Sequence, residues 1–276
     1  IGLAAPLAYH HAVTTSVRDS AALLDVVAGH VPGDAYGAPT PARPFLDEVG
    51  ADPGRLRVGV LRVAPGPFPT DDECTAAVDR TAETLRGLGH EVREVELGID
   101  VLAGMSAVGT IMGAQLRATI DDRLAVLGRD LDDDDIEPWT GVILENALTH
   151  SAPDVARALQ TAQRLGWTIA EHFGADGVDV LLLPTLPSVT PELGFLDVTD
   201  PESMWARSSA YSVCTGMFNL SGQPAISLPA GLDSRGLPVG VQLVADYARE
   251  DLLLRLSGQL EAAAPWTRIA PGFDGW

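Results

Sequence analysis

Two short runs of apolar and β-branched residues predict buried strands. They are LRVGVLR at residues 56–62 and VDVLLLPT at residues 178–185, and this composition is typical of strands that are covered on both faces. A helical repeat over residues 71–88 and the extended segment HEVREVEL at residues 90–97 follow the first run. This order predicts a βαβ unit, whose crossover is right-handed in nearly all proteins.

Apolar residues at helical spacing predict most of the remaining elements. Helices are expected from Ser16, which can cap the helix start, to Gly29, and at residues 101–127, 140–150, 153–173, 203–218 and from Arg249 onward. AISLPAG and VGVQLVA, separated by the turn sequence DSRGLP, predict a β-hairpin. With 276 residues, 46% hydrophobic content and no clear linker, the chain fits one large α/β domain or at most two domains.

Charge excludes several classes of function. The formal net charge is −20, so a nucleic-acid partner or an anionic membrane partner is not expected. All 18 basic residues are arginine and the chain contains no lysine. Any mechanism that uses a lysine base, a Schiff base or a P-loop lysine therefore cannot be completed by these residues alone.

Cysteine usage is typical of a reducing compartment. Cys74 and Cys214 lie far apart and form neither a CxxC pair nor a zinc-ligand pattern, so two reduced thiols in a cytoplasmic protein are expected. No apolar run approaches the length of a membrane span. No glycine-rich phosphate motif follows a strand, so no nucleotide cofactor, and no other cofactor, is predicted.

Familiar catalytic motifs are absent or incomplete. The four aspartates at residues 132–135 lack the spacing and glycine of a calcium loop, and a solvated turn explains them better. Ser106 and the Ser208–Ser209 doublet lack the glycines of a nucleophile elbow. The six histidines show no metal-binding or catalytic pattern.

Polar residues at strand ends are the remaining candidates for a ligand site. Thr185 follows one predicted strand, and the loop at residues 219–224 precedes AISL, which also reads as a buried strand. Each carries small polar groups beside a bulky apolar neighbour, Leu183 or Phe218. This mixture suits a small-molecule pocket, and the two features together suggest one cleft, although ordinary turn chemistry accounts for either feature alone.

The motifs FNLSGQPAISLPAG, GLPVGVQLVA, REDLLL and VDVLLLPTLPSVTP, in this order with TTSVRDSAALLDVVAGHVPGD, resemble the amidase signature family. Within it, the runs are most similar to those of 6-aminohexanoate cyclic-dimer hydrolases. The resemblance spans essentially the whole chain. It implies the amidase signature fold, a mixed sheet covered by helices on both faces, with residues 1–276 forming the C-terminal part of a single domain.

The resemblance also implies a catalytic apparatus that these residues do not supply. Family members hydrolyse amides with a serine–cis-serine–lysine triad and an oxyanion site of backbone N–H groups. These groups lie upstream of the SVRD-type helix in the family, and here that helix starts near residue 16. We therefore expect no catalytic residue in this chain, and a lysine- and serine-bearing segment or partner chain to complete it.

The resemblance carries over only residues that form the walls of the substrate pocket. It implies that the three residues 110–112 face the substrate. Cyclic-dimer hydrolases have a cysteine near the substrate at the position of Met112, so the resemblance does not extend to the same substrate preference. Thr185, Phe218, Asn219 and Trp139 are the other substrate-binding candidates. A small amide substrate and a homodimer are expected. The alternative is a non-catalytic, amidase-like binding protein that has lost its core.

Overall fold

In the computed structural model, residues 7, 9–33 and 37–269 are described. The strands are β1 (Arg57–Val60), β2 (Glu91–Glu94), β3 (Val180–Pro184), β4 (Ala225–Leu232) and β5 (Pro238–Ala245). They form one sheet in the order β2-β1-β3-β5-β4. The first three strands are mutually parallel, whereas β5 runs antiparallel to both of its neighbours.

Helices flank this sheet. They are α1 (Val17–Val27), α2 (Asp72–Gly87), α3 (Val101–Leu127), α4 (Pro138–Ala147), α5 (Ala152–Ala170), α6 (Pro201–Ser221) and α7 (Glu250–Ala263), with short 3₁₀ helices at Phe45–Glu48 and Asp133–Asp135. The predicted cap of α1 is confirmed, because the Ser16 side chain accepts a hydrogen bond from the Asp19 backbone N–H. Among the described residues, no helix is long and apolar enough to cross a membrane.

Two hydrophobic cores sandwich the sheet because successive side chains of a strand point to opposite faces. The first core lies between the sheet and helices α1, α2 and α7, and it contains Leu182 and Leu243. The second core lies between the sheet and helices α3, α5 and α6, and it contains Leu181, Leu183 and Val244. The predicted mixed α/β sheet covered on both faces is therefore confirmed.

β4 differs from the prediction of a buried strand. It is the last strand of the sheet, and within the described chain only Leu228 of its eight residues is buried. Its apolar sequence AISLPAGL indicates burial, but no described strand lies beyond it to provide cover. The prediction of a buried strand was therefore wrong for this chain.

A buried carboxylate joins the segment before β1 to the last helix. Glu48 is 2% exposed, and its carboxylate accepts hydrogen bonds from Arg43 Nε at 2.7 Å and Arg255 Nε at 2.5 Å. The sequence showed only an aperiodic connection here, and it did not predict this ion-pair cluster. Hydrogen bonds from Arg43, reinforced by Arg255, lower the pKa of Glu48 to about 2.

We predict that Glu48→Gln destabilises the fold at neutral pH. The lowered pKa corresponds to about 3 kcal/mol of stability, which is present above the unfolded-state pKa of 4.5 and is lost as the pH falls towards about 2. Urea unfolding of the wild type and of the variant, at pH 7 and at lower pH, measures the difference in their free energies of unfolding. Glu83→Gln is the matched control, because Glu83 forms an exposed pair with Arg86 that contributes little. Equal effects of the two substitutions would contradict this role of Glu48.

Candidate functional site

Thr185 lies at the carboxyl end of β3 and pairs with a second hydroxyl. Its Oγ1 atom is 2.7 Å from Ser227 Oγ on β4, and its backbone N–H donates to the Gly240 carbonyl oxygen at 3.2 Å. A Cβ atom on Gly240 would lie 3.1 Å from Thr185 Oγ1 and 3.3 Å from Ser227 Oγ. Glycine at position 240 therefore leaves room for the two hydroxyls. Ser227 is the exposed member of this hydroxyl pair.

The structure places Phe218 and Asn219 in the last turns of α6 rather than in a loop. Phe218 is 2% exposed and belongs to the second core, so its ring is covered by this chain's own side chains. Asn219 is half-buried, and its Nδ2 atom donates a hydrogen bond to the Leu7 carbonyl oxygen at 3.2 Å. In the described structure, these two residues therefore serve packing and anchoring.

Thr185 and the segment at residues 219–224 do not share one strand end. Because β5 is antiparallel to both β3 and β4, those two strands run in the same direction. Val244 pairs with both Leu181 and Ala225, so β4 begins four residues before Thr185, about 13 Å along the sheet. The expectation that the two strand-end features form one cleft was therefore wrong.

Met112 and Trp139 lie in a different region, which contains a tryptophan that the sequence did not indicate. The rings of Trp139 on α4 and Trp205 on α6 have centroids 5.6 Å apart with planes tilted by 48°. A Cβ atom on Gly109 of α3 would lie 3.3 Å from Trp205 Cη2. Met112 follows Gly109 by three residues on the same face of α3. We call Gly109, Met112, Trp139 and Trp205 the aromatic patch.

The aromatic patch offers apolar surface to solvent. Met112 is 38% exposed and Trp205 is 44% exposed, whereas the neighbouring Thr110 and Ile111 on α3 are buried. Of the three residues that the resemblance associates with substrate, Met112 alone therefore presents an accessible side chain. Trp205 could not be found from the sequence because its position beside Trp139 depends on the packing of α4 against α6.

The described histidines that show side-chain hydrogen bonds have structural roles. His90 accepts from the Leu56 backbone N–H through Nδ1, and its Nε2 lies 2.8 Å from Gln259 Oε1. His11 Nε2 lies 3.1 Å from both the Ser20 hydroxyl and the Ser20 carbonyl oxygen. A carbonyl can only accept, so this nitrogen carries a proton and cannot serve as a base towards Ser20.

Carboxylates in the described residues do not assemble a metal site. No group of three or more His, Cys, Asp or Glu side chains there has suitable geometry. The aspartate run forms a 3₁₀ turn capped by Asp132, as the predicted solvated turn requires. Hydrogen bonds from Arg129 and from the Asp132 backbone N–H lower the pKa of Asp135 to about 2. This pairing accounts for Asp135 without a bound cation.

Three comparisons place these features among known proteins. The sequence profile of the Amidase family matches residues 2–254. The 6-aminohexanoate-cyclic-dimer hydrolase of Paenarthrobacter ureafaciens is 40% identical over 265 residues, which are 93% of this chain and 54% of that protein. A 6-aminohexanoate cyclic dimer hydrolase solved with its substrate superposes with a TM-score of 0.83 at 40% identity, over 91% of this chain and 54% of the other.

A more distant structure shares the fold. A bacterial aryl acylamidase of the amidase signature enzymes gives a TM-score of 0.75 at 23% identity, over 91% of this chain and 52% of that chain. The amidase signature fold expected from the sequence is thus confirmed. The chain spans about half the length of each of these relatives.

We predict that neither cysteine reacts with Ellman's reagent in the folded protein at pH 8. Burial raises the pKa of Cys74 to about 11 and that of Cys214 to about 12, and both residues are at most 1% exposed. A buried thiol without its thiolate form is a poor nucleophile. The control is the same protein in urea, which should release two equivalents of thionitrobenzoate. One rapid equivalent from the folded protein would contradict this assignment.

Proposed function

Because the chain belongs to the amidase family, we propose that it is the pocket-forming part of an amide-bond hydrolase. In this proposal a further segment or partner chain, which we call the complementary segment, carries a lysine and two serines as the Ser–cis-Ser–Lys triad. One observation carries it: a chain without any lysine matches cyclic-dimer hydrolases over 93% of its own length and only 54% of theirs.

The chemistry divides between the two parts. A serine Oγ of the complementary segment adds to the amide carbonyl carbon, and its proton passes through the second serine to the neutral lysine. The amine leaves with a proton, and water then hydrolyses the acyl-enzyme and restores the serine. The oxyanion is held by backbone N–H groups. The residues of this chain bind the substrate rather than exchange its protons.

Two regions of this chain are proposed to contact the substrate. The aromatic patch gives apolar surface for hydrocarbon parts of an amide, through Met112, Trp139 and Trp205. The hydroxyl pair of Thr185 and Ser227 offers hydrogen bonds to a polar end. Phe218 and Asn219 would support the wall from behind, because Phe218 is buried and Asn219 holds Leu7.

The substrate class is a linear or cyclic amide with an apolar spacer between polar ends. This choice rests on the relatives named as 6-aminohexanoate-cyclic-dimer hydrolases and on the apolar character of the patch. A homodimer and a cytoplasmic location belong to the same proposal. The second candidate is a non-catalytic amidase-like binding protein. If no complementary segment exists, the lack of lysine favours this candidate, because the triad could not form.

We predict that this chain alone does not hydrolyse the 6-aminohexanoate cyclic dimer. Hydrolysis should appear when the complementary segment is added to it. The probe is the part of the Paenarthrobacter ureafaciens enzyme that this chain does not match, produced separately and mixed with it. Release of free amine measures hydrolysis. The segment alone and a segment with its triad lysine changed to alanine are the controls.

Either of two results would overturn the proposed function. Hydrolysis by the isolated chain would show that catalysis needs no lysine-bearing segment. A stable complex that hydrolyses neither cyclic nor linear amides would favour the binding protein.

A further inference from the structure

Gly109 occupies a position at which a helix ordinarily favours a side chain. It lies inside α3, and glycine in a helix interior is less stable than alanine because its unfolded form has more conformational freedom. A Cβ atom on Gly109 would lie 3.3 Å from Trp205 Cη2. Outside the surrounding turns of α3, no second atom of the described structure lies within 4 Å of that Cβ atom. The missing side chain therefore makes room for one indole ring.

The other two glycines of α3 serve close packing in the interior. A Cβ atom on Gly104 would lie 2.9 Å from Leu165 of the second core, and one on Gly113 would lie 3.3 Å from Ala147 of α4. Both glycines are buried. Gly109 is half-buried instead, and the ring that it accommodates belongs to a residue that is 44% exposed. Packing of the interior therefore does not account for Gly109.

Trp205 is held in place although much of it is accessible. Gly109 of α3 lies on one side of its ring, and the ring of Trp139 on α4 lies on another. The Trp139 backbone N–H donates a hydrogen bond to the Val198 carbonyl oxygen at 3.2 Å, which joins the start of α4 to the segment before α6. Because its position is set before a ligand arrives, the ring loses little conformational freedom on binding.

The accessible part of Trp205 belongs to an apolar surface that suits a hydrocarbon chain. Met112 lies one turn from Gly109 on the same face of α3, and it is 38% exposed. An indole ring and a thioether chain gain free energy when a ligand removes them from water, and the gain grows with the hydrocarbon area that covers them. An amide with a long apolar chain therefore gains more from this surface than a short amide does.

We propose that Trp205 is the specificity-determining residue for the hydrocarbon part of the amide substrate, and that Gly109 is a positioning residue that sets where the ring lies. This inference rests on the proposed function for the reaction and assigns the selection among amides to one ring. The ligand class is an amide with an unbranched hydrocarbon chain, such as hexanamide. Acetamide has the same reacting group but too little hydrocarbon to cover the ring.

The first test uses nuclear magnetic resonance to follow the indole N–H signals of the isotope-labelled chain. It is carried out on the chain alone and on its complex with a complementary segment of the Paenarthrobacter ureafaciens enzyme whose triad lysine is changed to alanine. The probes are the 6-aminohexanoate cyclic dimer, hexanamide and acetamide. Trp205→Phe and Trp139→Phe assign two of the signals. Trp167, which is 61% exposed on α5, supplies the control signal.

We expect the signals of Trp205 and Trp139 to shift saturably with the cyclic dimer and with hexanamide while the Trp167 signal stays in place. Hexanamide should bind at least tenfold more tightly than acetamide. Trp205→Ala should reduce this preference at least fivefold, and Trp167→Ala should leave it within twofold. An unchanged Trp205 signal, equal shifts at Trp205 and Trp167, or an unchanged preference in Trp205→Ala would overturn the proposal.

Gly109→Ala tests the positioning role. The added methyl group should displace the Trp205 ring, so the Trp205 indole signal should move in the absence of ligand and the affinity for hexanamide should fall at least threefold. In a Trp205→Ala background the same change should alter that affinity less than twofold, because coupled residues are not additive. Equal losses in both backgrounds would show that Gly109 acts without Trp205. Circular dichroism and thermal melting confirm that each variant folds.

Failure of this inference is distinguishable from failure of the proposed function. Because the ring contacts a part of the substrate that does not react, Trp205→Ala should raise KM for the cyclic dimer at least tenfold and leave kcat within twofold. If hydrolysis appears on mixing and KM is unchanged in Trp205→Ala, the proposed function stands and the role of Trp205 is wrong. If hexanamide binds at Trp205 as expected but no amide is hydrolysed, the role of Trp205 stands and the proposed catalysis is wrong.

Discussion

The pairing register between β4 and β5 determines which side chains face the first core and which remain accessible. Ser227 lies opposite Gln242 and Leu228 opposite Val241, so a slip of one residue would exchange the two faces. Asp233 fixes the connecting turn by accepting hydrogen bonds from the Arg235 and Leu237 backbone N–H groups. These bonds, the one from Leu237 first, lower the pKa of the Asp233 carboxyl.

Local sequence was enough to predict most of the elements. The apolar runs at residues 56–62 and 178–185 became β1 and β3, because they are covered by helices on both faces, and the predicted βαβ unit and hairpin were found. Helix α6 continues to Ser221, beyond the predicted end at Phe218, because Gly222 with a φ of 84° supplies the left-handed cap. Strand order depends on contacts between distant segments, so the sequence could not show that β4 is an edge.

Less of the candidate site could be predicted from the sequence. Thr185 was identified from its place after a strand, but its partner Ser227 is 42 residues away and is recognisable only from the register. Trp139 was identified without Trp205, which lies against it across two helices. Phe218 looked like a pocket residue because a polar turn follows it, yet the packing of α6 on the sheet buries its ring. Its role as a pocket wall stays a prediction.

The proposed function requires that a complementary segment completes the site to which this chain contributes. Ser227 lies on β4, the last described strand of the sheet, so a segment that paired with β4 would also lie beside the hydroxyl pair of Thr185 and Ser227. Amide hydrogen exchange at Ala225 and Ser227, followed with and without the complementary segment, tests this most directly. We expect exchange at both amides to slow by at least tenfold in the complex while that of Ile226 changes little. Unchanged exchange at Ala225 and Ser227 in a complex that forms would contradict the account.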